Sequence, residues 1–231
     1  MKRKRVVLTG AGVSQESGIK TFRDSDGLWE NYPVEEVASI DGWYRNKELM
    51  LRFYNERRAQ LSTVEPNMAH KIIAELEEHF DVTVVTQNVD NLHERAGSSN
   101  IIHLHGELTK VRGVDDDFTT YDIGYEPIHL GDKSPSGAQL RPHIVWFGEA
   151  VPKLEDGAKA VSECDILLVV GTSLAVYPAA SLVNYITNGR PIYLIDPKPI
   201  RINYSHYIQI EDVASSGMEK FRDIVLKKLP L

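Results

Sequence analysis

The sequence predicts an α/β fold, a largely parallel sheet with helices on both faces, interrupted by two inserted segments. Three observations predict it. Five short aliphatic runs end abruptly in glycine or polar residues, helical patterns separate most of them, and two stretches, Asp24 to about Leu61 and Leu108 to about Pro142, break the alternation. Alternating strands and helices mark a largely parallel sheet, whose ligands bind at the strand carboxyl ends. The 231 residues suit one such domain, spanning 1–231, with a modest insertion.

The first strand, Arg5 to Thr9, runs into VVLTGAGVSQESG, where Gly10 and Gly12 let backbone amides approach a pyrophosphate. Gln15 stands where the third glycine of GxGxxG would be, and a tight turn without a ligand explains the string almost as well. Phe22 and Arg23 close this loop. Arg23 can bind a phosphate and Phe22 can cover a labile ribose carbon, the plain alternative being a packed Phe beside a solvated Arg. The segment from Asp24 to Leu61 is rich in aromatics and charge and predicts a small helical insertion.

Pro66 is expected to open a helix whose apolar positions are Ala69, Ile72, Ile73 and Leu76. Strands at Val82 to Thr86 and Ile101 to Leu104 follow. They bring Gln87, Asn88, Asp90, His93 and His105 to or near their ends, a set that can orient a sugar and move a proton. Leu108 to Pro142, with Gly113, Gly124, Gly131, Gly137 and Asp115-Asp116-Asp117, predicts a loop-rich excursion.

Ile166 to Gly171 is a very apolar strand, and Gly171, Thr172 and Ser173 after it would lie beside the first glycine loop where the strand order reverses. Ser173 as a helix cap is the alternative. Pro178 is expected to start a helix through Ala179, Leu182, Val183 and Ile186. The strand Ile192 to Ile195 ends at Asp196, placed either to accept ribose hydroxyls or to form an Asp-Pro turn. Met218, Phe221, Val225 and Leu229 predict a last amphipathic helix.

A net charge of −7 argues against duplex nucleic acid as the main ligand. Cys164 is the only cysteine, which rules out an internal disulfide framework or a zinc site built on cysteine pairs. The apolar run after MKRKR is too short for an export signal, and nothing approaches the ~20 apolar residues of a membrane span. A soluble, cytoplasmic, monomeric protein is expected.

Five strings, GAGVSQESGI with TFR and DGLW, TQNVDNLHERAG, HLHGEL, RPHIVWFGE and GTSLAVYPA, occur in an order that resembles the sirtuin family of NAD-dependent protein-lysine deacylases. The likeness covers nearly the whole chain and is strongest to the small bacterial members. It implies NAD between a Rossmann-like domain and a smaller lobe, and acyl-lysine proteins or peptides as partners. His105 looks like the general base, Asn88 and Asp90 like groups positioning the nicotinamide ribose and carboxamide, and Gln87 like a ribose ligand. By the same resemblance Gly10, Ala11, Gly12, Ser14, Phe22, Arg23, Gly171, Thr172, Ser173, Asp196 and Ala214 would contact NAD. Val145, Phe147 and Gly148 would line the acyl-lysine tunnel, with Trp146 or Phe147 expected to be ordinary core. In the family chemistry the acyl oxygen attacks the anomeric carbon as nicotinamide leaves. His105 then activates a ribose hydroxyl, water completes transfer to ADP-ribose, and free lysine emerges.

Tyr54 and Arg57, at i and i+3, would share a helix face, and a phenol beside a guanidinium can read a carboxylate. The pair resembles the acidic-acyl reader of desuccinylating sirtuins, and Ala38 resembles the small residue that leaves room for a longer chain. Arg58 would point elsewhere. The resemblance breaks at the zinc cysteines: Gly113 stands where the first pair would begin, and GDKSPSGAQLRP lacks the second. No zinc is expected. A cluster of Phe118, Tyr121, Ile123, Tyr125, Ile128 and Leu130 could hold the lobe instead, and a metal on Asp115, Asp116, Asp117 and His129 is the less favoured arrangement. Mono-ADP-ribosyl transfer or plain NAD cleavage would use the same nicotinamide site, and a catalytically idle NAD-sensing module is a third possibility.

Overall fold

A computed structural model describes residues 2–20, 28–29 and 32–227. Along the chain, β1 (Lys4–Thr9) leads into two short 3-10 turns, Ala11–Val13 and Gln15–Ser17. The first interruption holds a ribbon of β2 (Leu28–Trp29) and β3 (Tyr32–Pro33), then helices α1 (Val34–Val37), α2 (Ile40–Arg45) and α3 (Lys47–Leu61). Helix α4 (Met68–Glu75) returns the chain to β4 (Asp81–Thr86), α5 (Leu92–Ala96) and β5 (Ile101–His103). The second interruption supplies β6 (Gly106–Gly113), β7 (Thr120–Asp122) and β8 (Leu140–Ile144). Helix α6 (Leu154–Glu163), β9 (Ile166–Val170), a 3-10 helix (Ala179–Tyr185), β10 (Ile192–Ile195), β11 (Tyr207–Ile210) and α7 (Ala214–Leu226) complete it.

Six strands form one parallel sheet in the order β11-β10-β9-β1-β4-β5. The order reverses at β1, which pairs with β4 on one side and β9 on the other. Successive residues of β1 bury themselves in different layers. Val7 joins Ile72, Ile73, Val84, Tyr193 and Phe221 on the face covered by α4 and α7; Val6 and Leu8 join Val85, Leu104, Val161 and Leu182 on the face covered by α6 and the 3-10 helix. Burial on both faces explains why these strands read as continuous apolar runs rather than alternating ones.

A third core, with Trp43, Phe53, Tyr54, Leu108, Val111, Ile128, Ile144 and Trp146, draws on both interruptions and reaches the sheet domain through Leu92 of α5. The second interruption is not merely loops. It carries a three-stranded antiparallel sheet, β7-β6-β8, with an irregularity between Glu107 and Val111. Its middle strand, GELTKVRG, hides its strand character because three charged residues interrupt the apolar ones, the buried Arg112 being paired with Asp117 and Glu149. The expected six-residue apolar cluster is half right: Ile128 is buried and Tyr121 and Ile123 pack against the core, but Phe118, Tyr125 and Leu130 are exposed.

Other local expectations shift. Pro66 lies before the first turn of α4 rather than in it, because Asn67 is the cap: its Oδ1 accepts from Ala69 N at 2.9 Å, and His70 Nδ1 accepts from Asn67 N at 3.3 Å. Pro178 precedes a 3-10 helix rather than an α-helix, since Ser181 donates both its amide and its hydroxyl to the Pro178 carbonyl. Strand β11 is an additional edge strand whose Ile208 faces solvent. Leu229, the last expected position of the final helix, lies outside the described residues.

Candidate active site

The reversal of strand order places the loops after β1 and β9 side by side. Gly10 N donates to Val170 O at 3.1 Å and Gly12 N to Gly171 O at 2.8 Å. A Cβ on Gly12 would lie 2.7 Å from Gly171 Cα, and Gly171 has φ +63° with a hypothetical Cβ 2.3 Å from Val13 N. Both must be glycine for the loops to pack backbone to backbone. Thr172 Oγ1 accepts from Leu174 N and from Gln87 Nε2, each at 3.2 Å, tying the β4 loop to this junction. Ser173 caps no helix among the described residues.

Side chains from three loops then meet around Ser14. Its hydroxyl donates to Asp90 Oδ2 at 2.9 Å and accepts from Asn88 Nδ2 at 3.1 Å, all three residues being buried. Asp90 Oδ1 also accepts from Leu92 N at 3.1 Å. Burial raises the Asp90 carboxyl above its ordinary range, although those hydrogen bonds pull the other way. Asn88 N donates to Thr86 Oγ1 at 3.0 Å, and Thr9 Oγ1 donates to the same oxygen at 2.8 Å, linking the ends of β1 and β4, which are in register.

His105 follows β5. Its Nδ1 lies 3.0 Å from Gln87 O, and a carbonyl only accepts, so Nδ1 carries the hydrogen and the Nε2 lone pair is left to take a proton. Burial lowers its pKa below the ordinary 6.5, against the pull of that hydrogen bond. His105 O in turn accepts from Val145 N at 2.9 Å. The strand-like continuation to Phe147 is gripped by the small lobe, with Phe147 N donating to Ala38 O at 2.8 Å and Ile40 N to Phe147 O at 3.0 Å. Gly148, at φ +93°, ends this stretch; a Cβ there would sit 2.9 Å from Ile40 Cγ2. Trp146 is core, as expected of at least one of the pair, while Phe147 is half exposed.

The sequence model of the Sir2 family, the sirtuins, matches residues 10–178. The chain belongs to the Sir2 family. Among curated relatives, an NAD-dependent protein deacylase of Bacteroides thetaiotaomicron is 53% identical over 228 residues, covering 96% of this chain and 97% of the relative. One from Helicobacter pylori is 49% identical over 226 residues, covering 98% and 97%. Among solved structures, a Sir2 homologue in complex with NAD superposes with TM-score 0.88 at 38% identity, covering 99% of this chain and 91% of that one. Sir2Tm bound to a propionylated peptide gives TM-score 0.78 at 28% identity, covering 97% and 94%.

In this Sir2 chain the remaining expected NAD contacts frame the same edge of the sheet. Asp196 is buried at the end of β10 and makes the turn expected of Asp-Pro, its Oδ1 accepting from Lys198 N at 3.0 Å. Ala214 is buried at the start of α7. Phe22 and Arg23 lie outside the described residues. Tyr54 is fully buried on α3, its oxygen accepting from Trp146 Nε1 at 2.8 Å, and burial pushes the phenol pKa up despite that bond. Arg57 is half-buried, with its guanidinium 5.2 Å from the centre of the Phe53 ring. Arg58 does point elsewhere: it is wholly buried, donating to Leu108 O and Asn55 Oδ1, each at 2.8 Å, and burial lowers it to about 10.

Sequence reasoning missed several supports. Glu16 Oε2 accepts from Ser215 N at 2.8 Å and fastens α7 to the glycine loop. Arg141 bonds Glu149 at 2.7 and 3.0 Å and stacks 3.5 Å above the centre of the Trp146 ring, while Glu149 also accepts from Trp146 N at 2.8 Å. RPHIVWFGE contained both partners, but nothing in the string pairs its ends. Where the zinc cysteines would stand, Gly113 ends β6 against a turn in which Ser136 Oγ donates to Asp115 Oδ2 at 3.0 Å and lies 2.7 Å from Ser134 Oγ. Asp117 pairs with Arg112. His93 packs inside α5, 3.1 Å from Thr9 Oγ1. His103 is 2.6 Å from Glu94, and Glu107 beside it is bonded by Lys110 at 2.9 Å, forming a chain of ion pairs.

No helix among the described residues is long and apolar enough to cross a membrane.

Proposed function

We propose that this Sir2 chain is an NAD-dependent protein-lysine deacylase that removes succinyl and malonyl groups, and acetyl as well, releasing nicotinamide and O-acyl-ADP-ribose. The relatives named as NAD-dependent deacylases support the activity. The observation that carries the mechanism is the His105 ring, held by Gln87 O with Nε2 as its proton acceptor.

NAD supplies the electrophilic anomeric carbon and the ribose hydroxyl that receives the acyl group. The residues present fit it: two glycine loops meet at the reversal of strand order, and a buried amide and carboxylate lie beside them. Gly10, Ala11, Gly12 and Ser14, with Gly171, Thr172 and Ser173, hold the phosphates and adjoining sugar, with Arg23 read as a further phosphate ligand and Phe22 as cover for the labile ribose carbon. Asp196 accepts from the adenosine ribose, and Ala214 borders the adenine. Gln87, Asn88 and Asp90 orient the nicotinamide ribose. His105 Nε2 takes the proton of the attacking hydroxyl, a task suited to a neutral imidazole near pH 7. Val145, Phe147 and Gly148 line the acyl-lysine tunnel, Phe147 through its half-exposed ring, since its amide and carbonyl are held by Ala38 and Ile40.

Acidic-acyl preference rests on Tyr54 and Arg57, one helical turn apart on α3, with Ala38 at the small-residue position. A buried phenol oriented by Trp146 and a half-buried guanidinium suit a carboxylate better than a methyl group. The protein is read as cytoplasmic and monomeric, with neither nucleic acid nor membrane as partner and no structural zinc.

Incubation with NAD and matched acetyl- and succinyl-lysine peptides tests this. Peptide-dependent nicotinamide release supports deacylation; peptide-independent release would mean NAD cleavage or ADP-ribosyl transfer, and binding without release an idle module. Arg57→Met is expected to depress desuccinylation at least tenfold more than deacetylation, and equal effects would refute the acyl-reader assignment.

A further inference from the structure

His103 and His105 hold consecutive carbonyls of one loop. His105 Nδ1 donates to Gln87 O, and His103 Nδ1 lies 3.3 Å from Asn88 O. The second nitrogen of His103 is also engaged, 2.6 Å from Glu94 Oε1. Carbonyls and carboxylates only accept, whereas a neutral imidazole has a single N–H. Making both bonds therefore requires the imidazolium.

The groups facing this ring come from three elements. Glu94 and His93 lie on α5, Glu107 with its partner Lys110 on β6, and Asp90 in the loop after β4. Burial of the ring opposes its charge, but the hydrogen bond and charge of Glu94, helped by Glu107, outweigh it and hold the His103 pKa above the ordinary 6.5. The two neighbouring histidines are thus biased in opposite directions, His103 toward the charged ring and His105 toward the neutral one.

Asn88 is where this matters. Its amide is fixed by Thr86 Oγ1, its carboxamide by Ser14 Oγ and its carbonyl by His103. Only the third support is ionic. If His103 loses a proton, the remaining N–H stays with the nearer and charged Glu94, and the other nitrogen turns a lone pair toward the Asn88 carbonyl. The loop must then give way.

We propose that the Glu94–His103 ion pair is a positioning device for the NAD site: the charged imidazole pins the Asn88 carbonyl, and thereby the carboxamide that orients the nicotinamide ribose, so that productive NAD binding depends on the proton Glu94 keeps on His103. This rests on Asn88 occupying the nicotinamide-ribose site as proposed above. His103 touches no reacting atom and acts through Asn88.

The test measures kcat and KM for NAD from about pH 6 to about pH 10 with a saturating acyl-lysine peptide, using the intact chain and Glu94→Gln. Glu94 is partly exposed, so the exchange to an isosteric amide leaves the fold in place. Wild type should show KM for NAD rising on the alkaline side. Glu94→Gln should move that rise down by about one pH unit while leaving the acid limb where it was. Coincident alkaline limbs would overturn the proposal. Asn88→Ala separates the two layers. If it leaves KM for NAD and kcat unchanged, the placement of Asn88 fails and the ion-pair role with it. If it impairs NAD use while Glu94→Gln tracks wild type at every pH, only the ion-pair role fails. Independently, nitrogen-15 histidine spectra of the intact protein should place the His103 titration midpoint above the ordinary 6.5 and move it down in Glu94→Gln; a wild-type midpoint at or below 6.5 would overturn the proposal outright.

Discussion

Trp146 donates its indole N–H to the Tyr54 oxygen across 2.8 Å, and both rings are buried in the small-lobe core. The phenol cannot rotate toward water, which leaves its own O–H to be aimed by the surrounding packing. An acyl reader gains from such fixed orientation because less freedom is lost on binding. Trp146→Phe removes the donor and leaves most of the packing. The expected result is a roughly fivefold rise in KM for a succinyl-lysine peptide and at most a twofold rise for the acetyl peptide, since one hydrogen bond contributes about 1 kcal/mol. Equal changes for both peptides would detach the phenol from acyl selection.

Arg141 and Glu149 tie β8 of the antiparallel sheet to the Val145–Phe147 stretch, because Glu149 also accepts from the Trp146 amide. Burial works against the Glu149 charge, yet Arg141, the Trp146 amide and Arg112 hold its pKa below the ordinary carboxylate range. A depressed folded-state pKa means that this stability is present above the unfolded value and is lost as pH falls through the folded one. Glu149→Gln should cost about 2–3 kcal/mol at neutral pH, roughly 5–10 °C in Tm, and the gap from wild type should narrow on acidification below about pH 4. A gap that stays constant through the acid range would assign the loss to packing rather than charge.

Much of the fold was legible because parallel strands buried on two faces leave unbroken runs such as ILLVV, and because polar residues crowd where those runs stop. Asn88, Asp90 and His105 stood out for that reason. The supports of the site were not legible, since a hydroxyl acquires meaning only from register: Thr9 and Thr86 become one hydrogen-bonded step only once β1 and β4 are aligned. Strand β6 escaped notice for a related reason. Its Arg112 is buried and its charge is answered by Asp117, across the turn that follows, and by Glu149, 37 positions on, a pairing that no local pattern announces. Pro66 misled by one turn position because Asn67, a better cap, follows it.

Gly12 sits against the backbone of Gly171, with 2.7 Å between a hypothetical Cβ and Gly171 Cα. Neither partner has a side chain that could move aside, and Gly171 is itself committed to a left-handed conformation. Gly12→Ala must therefore part the two loops. KM for NAD should rise about tenfold or more, while the ratio of succinyl to acetyl turnover stays fixed, because Tyr54 and Arg57 lie on a separate element. A changed acyl ratio with normal NAD affinity would place the nucleotide elsewhere.

As the proposed general base, His105 would set the acid limit of the site. Burial favours the neutral ring, so Nε2 remains able to accept a proton below the pH at which a free imidazole would be half charged. The activity limb on the acid side of kcat/KM for NAD should then have its midpoint below 6.5, and its direction is fixed: turnover falls as pH falls, because the imidazolium has no lone pair to offer. His105→Asn keeps a donor toward Gln87 O and removes the base, and is expected to lower kcat by about 10²–10⁴ with the NAD complex still formed. Calorimetric NAD titration beside the rate measurement distinguishes this from simple loss of the site. Retained turnover in His105→Asn, or an acid limb above 7 in wild type, would move the base to another residue.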